Sequence, residues 1–333
     1  MSNIMIYETN NLTPSQYKIF AGVYNDFYNK AKTEYKFELD PLTCEEFCQA
    51  VEDDLFQCIV LTEDNIPTAF LAATTVISDA VELNIIHCLG NENILAKKKV
   101  LLEKFIENNK ELLEIKTTTY PMLGHQDNFV CDITHYGFKL IGLAVVRFKF
   151  DNTDSLTILN SIESPKMPDG YHIENWSNVY KDKACEIINE SFKTASDALF
   201  DPRFLTKEGC DDIIDKIVEN IYGDFLPEAT KILFYKNEPV GICFVNITGG
   251  TIANIPLVGI KNAHHKKGLG EILVHSAVAH CYKLLKDNKL NISEINASVE
   301  TDNFAAIKMY RYVGFKEDYH YPQAYLPAGA SRI

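Results

Sequence analysis

Val258-Gly259-Ile260-Lys261-Asn262-Ala263-His264-His265-Lys266-Lys267-Gly268-Leu269-Gly270 is the stretch that decides the fold. An apolar run passes into a short polar loop. The loop opens a segment whose stripe at Leu269, Ile272, Leu273, Ser276, Ala277, Cys281 and Leu284 has helical spacing. Gly268 and Gly270 remove side chains where a backbone must approach a ligand. The unpaired amides and the dipole at a helix start favour an anion. Four adjacent His and Lys residues add positive charge. The geometry suits a pyrophosphate, yet it is neither a Walker loop nor a Rossmann fingerprint, whose glycine spacings are absent. The bland readings stay open: a Gly-x-Gly at a helix start also makes a tight turn, and Lys266-Lys267 also fits a solvated surface. His264-His265 has no partner cluster, so no metal site is expected.

Outward from this loop, Tyr171–Trp176 alternates as a strand, and helical spacing covers Ala184 to Phe192 and Cys210 to Ile221. Lys231–Tyr235 and Val240–Ile247 form a hairpin about Asn237-Glu238-Pro239. Thr251–Ile260 reads as a fourth strand, residues 295–299 as a fifth, Phe304–Tyr312 as a helix and Phe315–Tyr321 as a last strand. The order β-α-α-β-β-β-α-β-α-β predicts a mixed, twisted sheet flanked by helices, an α/β fold.

The first half echoes the second. Asn65-Ile66-Pro67 matches Asn237-Glu238-Pro239, Asp127-Asn128-Phe129 matches Asp302-Asn303-Phe304, and Tyr136-Gly137-Phe138 matches Val313-Gly314-Phe315. The offsets are 172, 175 and 177, in one order, as two copies of one fold would give. Strands are expected at Ile4–Glu8, 57–62, Ala69–Ile77, 81–87, Ile115–Thr119 and Leu140–Phe150. Helices are expected at 14–29, Cys44–Asp53 and Ile94–Leu113. The organisation is a domain over 1–150, a polar linker over 151–169 and a second domain over 170–333.

The chain has 333 residues and a net charge of −14, shared between the halves as −8 and −6. Nucleic acid demands a basic face, so it is not the expected partner. The nine cysteines form no CxxC pair and sit mostly in apolar stretches, the mark of a reducing compartment. Neither a signal peptide nor a membrane span is expected, and the reading is cytoplasmic.

The loop resembles the acyl-CoA signature of the GNAT N-acetyltransferase superfamily, Arg/Gln-x-x-Gly-x-Gly/Ala after the fourth strand, with His265 in the first position. Residues 299–315 resemble its second signature, filled by Val299, Asn303, Ala306, Tyr310, Gly314 and Phe315. The resemblance covers about 170–325 and makes the chain look like two tandem GNAT-like domains. It implies transfer of an acetyl group from acetyl-CoA to a primary amine of a small molecule or peptide, by direct attack in a ternary complex. It places the cofactor on Val258, Gly259, Ile260, His265, Lys266, Lys267, Gly268, Leu269, Gly270, Glu271 and Asn303, with the pantetheine paired to strand backbone at 258 and 260.

Tyr310 takes the position of the tyrosine that protonates the departing thiolate; a core tyrosine is its plainer reading. Asn303 also fits a helix cap. No acid lies in Thr251–Ile260, so the base is open: Glu300 at the end of the fifth strand, or a water relay. Asp197, Phe200 and Asp201 either hold a cationic amine or form a surface turn. The first half has Cys88-Leu89-Gly90-Asn91-Glu92-Asn93 where its loop should be, Lys97 to Lys99 too late to reach a phosphate, and Ile133 in place of Tyr310. It reads as a degenerate copy. The alternative to an enzyme is a non-catalytic acyl-CoA-binding regulatory protein.

Overall fold

The structure, a computed structural model, describes residues 4–8, 14–75, 80–124, 126, 128–161 and 167–330. It forms two compact units. One holds residues 1–141 with 321–333, the other 142–320.

The first unit runs β1 (Ile4–Glu8), α1 (Pro14–Lys30), α2 (Cys44–Glu52), β2 (Gln57–Glu63), β3 (Ile66–Thr74), β4 (Val81–Cys88), α3 (Ile94–Asn108), α4 (Lys110–Ile115), β5 (Thr118–Pro121) and α5 (Phe129–Asp132). The sheet is antiparallel from β1 to β4, and β4 pairs β5 in parallel. Residues 58–62 of β2 are buried without a break, because helices cover both faces. Ile59 and Leu61 meet Leu101 and Phe105 of α3. Cys58 and Val60 meet Phe20, Tyr24 and Phe47 of α1 and α2. Asp64 and Asn65 both have left-handed backbones, the turn a tight hairpin requires.

The second unit takes β6 (Lys139–Lys149) from Gly142 onward, then α6 (Thr153–Ser161), β7 (Tyr171–Asn175), α7 (Lys181–Phe192), α8 (Asp197–Phe200), α9 (Lys207–Val218), β8 (Asp224–Phe225), β9 (Lys231–Tyr235) and β10 (Glu238–Cys243). It continues with β11 (Asn246–Gly249), β12 (Ile252–Asn254), β13 (Val258–Ile260), α10 (Leu269–Lys286), β14 (Glu294–Glu300), α11 (Phe304–Val313) and β15 (Lys316–Leu326) up to His320. One sheet has the order β13-β10-β9-β7. In the other, β14 is flanked by β6 antiparallel and β12 parallel, with β11 and β8 beyond. Helix α10 packs Leu273, Ala277 and Cys281 into the core with Leu233, Val240 and Ala297.

Several expectations from the sequence are corrected. Residues 143–149, assigned to the first domain, pair along the whole of β14 and fall in the second unit. Residues 323–326, assigned to the second domain, pair with β5 and fall in the first. The linker over 151–169 contains α6, whose Leu159 is buried and whose Ser155 hydroxyl donates to the Gly314 carbonyl at 2.8 Å. The helix 94–113 breaks at Asn109, whose amide side chain bonds the Phe105 carbonyl and Gln57 instead of leaving the ladder undisturbed. The strand 251–260 is two strands in different sheets. Ile77, Asp127 and Ile162 lie outside the described residues. No described helix is long and apolar enough to cross a membrane.

Candidate functional site

The break between β12 and β13 builds the site. Asn254 pairs with Asn296 of β14, and Ile255 donates to the Asn296 carbonyl at 2.9 Å. Pro256 follows, and the chain then joins β10: Phe244 donates to the Leu257 carbonyl and Lys261 to the Val240 carbonyl. Residues 257 and 261 therefore face β10. Strand alternation turns the backbone groups of Val258 and Ile260 the other way, along the free edge of the sheet. The Ile260 carbonyl accepts from His265 Nε2 at 2.7 Å and from Ser191 Oγ at 3.2 Å.

The loop between β13 and α10 is held in place by side chains. Glu190 accepts from the Asn262 amide at 2.8 Å. Tyr171 donates to His264 Nδ1 at 2.7 Å and accepts from Lys267 Nζ at 2.9 Å. Burial, with Lys267 and Lys261, lowers the pKa of His264, which favours the neutral ring this hydrogen bond needs. Lys266 and Gly268 both have left-handed backbones, with φ 61° and 71°. Such alternation turns successive amides into one concavity, and α10 begins there with first-turn amides that no side chain caps. A methyl added at Gly270 would lie 2.8 Å from Met309 Sδ, so a larger residue here requires the Met309 side chain to move.

A cavity of about 470 Å³ opens at this point. Its walls include Val258, Gly259, Ile260, His265, Lys266, Gly268, Leu269, Gly270 and Glu271 from the loop segment, and Ala305, Ala306, Lys308 and Met309 from α11. The two signature segments thus meet. Two expected cofactor residues, Lys267 and Asn303, are not among the cavity walls. Lys267 lies over the Tyr171 ring, 5.5 Å from its centre. Asn303 caps α11, its side chain accepting from the Ala306 amide at 3.1 Å. Of the walls from α11 the sequence singled out Ala306; the spacing of Ala305, Lys308 and Met309 on one helical face was the available signal for the others.

Tyr310 is buried on α11 against Phe315, and its hydroxyl makes no hydrogen bond to a described residue. Burial, then Cys243 and Asp197, pushes its pKa far up, so the phenol keeps its proton. Asp197, at the start of α8, is half-buried. Burial, then Glu300 and Asp201, raises its carboxyl pKa. Glu300 accepts from Ser196 Oγ. Tyr310, Asp197 and Glu300 therefore share one neighbourhood, with Ser196 and Cys243 as members the sequence did not reveal. Asp201 is engaged elsewhere: it forms a two-point ion pair with Arg203, at 2.9 and 2.6 Å, and caps the short turn Pro202–Leu205. Phe200 is half-buried at the end of α8. Among the described residues no group of His, Cys, Asp and Glu could hold a metal ion.

The Acetyltransferase (GNAT) family matches residues 198–315, which span this cavity. Solved structures match across the whole chain. A GCN5-related N-acetyltransferase from Sphaerobacter thermophilus is 12% identical, over 99% of this chain and 97% of that one, with a TM-score of 0.67. A tandem GNAT protein from the clavulanic acid biosynthesis pathway is 11% identical over 99% and 100%, with a TM-score of 0.57. No curated protein matches the chain. The chain has the fold of tandem GNAT proteins, and its second unit carries the match to the GNAT family.

Proposed function

We propose that the second unit is an acetyl-CoA-dependent N-acetyltransferase acting on a primary amine of a small molecule or peptide. The observation that carries this reading is the cavity itself, where the free edge of β13, the glycine loop and α11 converge; Tyr310 sits on the same helix α11, in the neighbourhood of Asp197 and, through it, Glu300. Acetyl-CoA would supply the activated acyl group. The loop amides at 266–271 would hold its pyrophosphate, and the backbone of Val258 and Ile260 would pair with its pantetheine amides once His265 releases the Ile260 carbonyl.

Asp197 and Glu300 give the acceptor an acidic wall that binds a protonated amine. Either carboxylate can take the amine proton, directly or through water. Tyr310, kept neutral by burial, would donate its proton to the departing thiolate. Two-site binding removes the entropy cost of bringing amine and thioester together. Phe200 flanks the acceptor in this reading, while Asp201 positions Arg203 rather than the amine. The nine free cysteines, most of them buried, support a cytoplasmic location.

The absence of an acid from β12 and β13 favours a second reading, a non-catalytic acyl-CoA-binding regulator. Thiol release from acetyl-CoA, measured over a panel of primary amines, separates the two. Turnover that Tyr310→Phe reduces supports the enzyme. Saturable acetyl-CoA binding with no release across the panel supports the regulator.

A further inference from the structure

Further along α10, residues Ile272, His275, Ser276, Ala279, His280 and Lys283 recur at spacings of three and four and form one stripe. The stripe faces β7 and β9 across a second cavity of about 480 Å³, which Asn175 and Lys231 also line. Its lining contains no acidic residue. Lys231 is 3% exposed. Its ammonium donates to Asn175 Oδ1 and the Glu228 carbonyl, both at 2.6 Å, and to His280 Nδ1 at 3.1 Å.

All three acceptors are neutral, and no described carboxylate lies within ion-pair distance of Lys231. A buried charge is normally paired, because desolvation is repaid only by an opposite charge. The bond from Lys231 to His280 Nδ1 fixes that ring as the neutral tautomer with its proton on Nε2. Ser276, Lys283 and the Asn175 amide add further donors. Burial lowers Lys231 to about 8, opposed by Cys281, Cys243 and the more distant Glu228 charge, so most of it stays charged at pH 7. A cavity rich in donors, two of them lysines, inside a chain of net charge −14 has the chemistry to hold an anion. The volume suits a metabolite rather than a lone ion.

We propose that the cavity between β7, β9 and α10 binds a small organic anion bearing a carboxylate or phosphate, whose negative group pairs with Lys231. This assignment does not depend on acyl-CoA binding at the loop. Calorimetric titration of the full chain at pH 7 with succinate, and separately with inorganic phosphate, tests it. Saturable binding of at least one probe at one site per chain is expected, weakened at least tenfold in Lys231→Met, which keeps the stem and removes the charge. Lys283→Gln and Ser276→Ala change partly exposed groups without touching the core, and each is expected to weaken binding about threefold. Gly270→Glu, which blocks the loop, is expected to leave it unchanged. The proposal is overturned if neither probe saturates. It is equally overturned if binding survives in all three cavity variants, or is lost in Gly270→Glu alone.

Discussion

The two units start a helix in the same way and use it differently. Asn93 opens α3 with φ 55°, Gly268 opens α10 with φ 71°, and neither helix has a side-chain cap. In the second unit Gly270 follows, the first-turn amides face a cavity, and Lys266 is exposed with no ion partner among the described residues. In the first unit Leu95 stands in that place and the lysines are consumed by packing. Lys97 is buried and paired with Glu63 at 2.8 Å, Lys98 is buried against Gln126 and the Phe129 ring, and Lys99 pairs with Asp132. Tyr120 of β5 is buried, and its hydroxyl reaches the backbone of Ile86 on β4, between the strands whose counterparts part in the second unit. A left-handed helix start is thus not enough to open a cavity at the helix N-terminus. The amides must also be left without side chains above them, and the adjacent strand edge must stay free.

The largest expected effect breaks this contrast directly. Gly270→Glu puts a side chain and a negative charge where the loop amides converge, and it is expected to lower acetyl-CoA affinity about 100-fold or more. Ala96→Glu, an exposed change one turn into α3, is expected to leave affinity unchanged; titration calorimetry reads both. Next in size, Tyr310→Phe is expected to lower kcat about 100-fold with little change in the KM for acetyl-CoA. Its Tm should hold, because the hydroxyl makes no hydrogen bond with a described residue.

Lysines sharpen the comparison further. Lys97→Ala leaves Glu63 without its partner and is expected to destabilise the chain by about 1–2 kcal/mol in urea unfolding, with acetyl-CoA affinity intact. Lys266→Ala is expected to do the reverse, holding the urea midpoint and weakening affinity about threefold at low salt, less at high salt.

Asp197 gives the smallest effect, with a definite sign. Burial, then Glu300 and Asp201, raises its carboxyl above the ordinary value of 3.8. The folded state therefore prefers the protonated acid. The stability this contributes is complete below pH 3.8 and is lost as pH rises through the raised value. At pH 7 the charged carboxylate costs stability. Asp197→Asn is expected to raise Tm by about 2–3 °C at pH 7, with the gap closing as pH falls toward 4. Turnover of cationic amines should fall in the same variant.

Much of this contrast was legible in the sequence. The glycines, the apolar stripe of α10 and the spacing to Tyr310 are local features, and they located the cavity wall. The strand bounds at Ile4–Glu8 and the hairpin at Asn65 were readable because alternation and turn chemistry act over a few residues. Pairing across the chain was not. Nothing within 139–150 says that its partner is 294–300, and nothing within 316–326 says that its end pairs with Thr118–Pro121. The run 251–260 is apolar apart from Thr251 and Asn254, so its change of sheets left only Asn254 and Pro256 as a trace. The contact of Lys267 with Tyr171 was equally hidden, because the tyrosine is 96 residues away.

The central claim is that one unit binds acetyl-CoA and the other has given that capacity up. Its most direct test is the binding stoichiometry of acetyl-CoA on the full chain by calorimetry. The account predicts one site per chain, abolished by Gly270→Glu. Two sites per chain, or one site that survives Gly270→Glu, would contradict it.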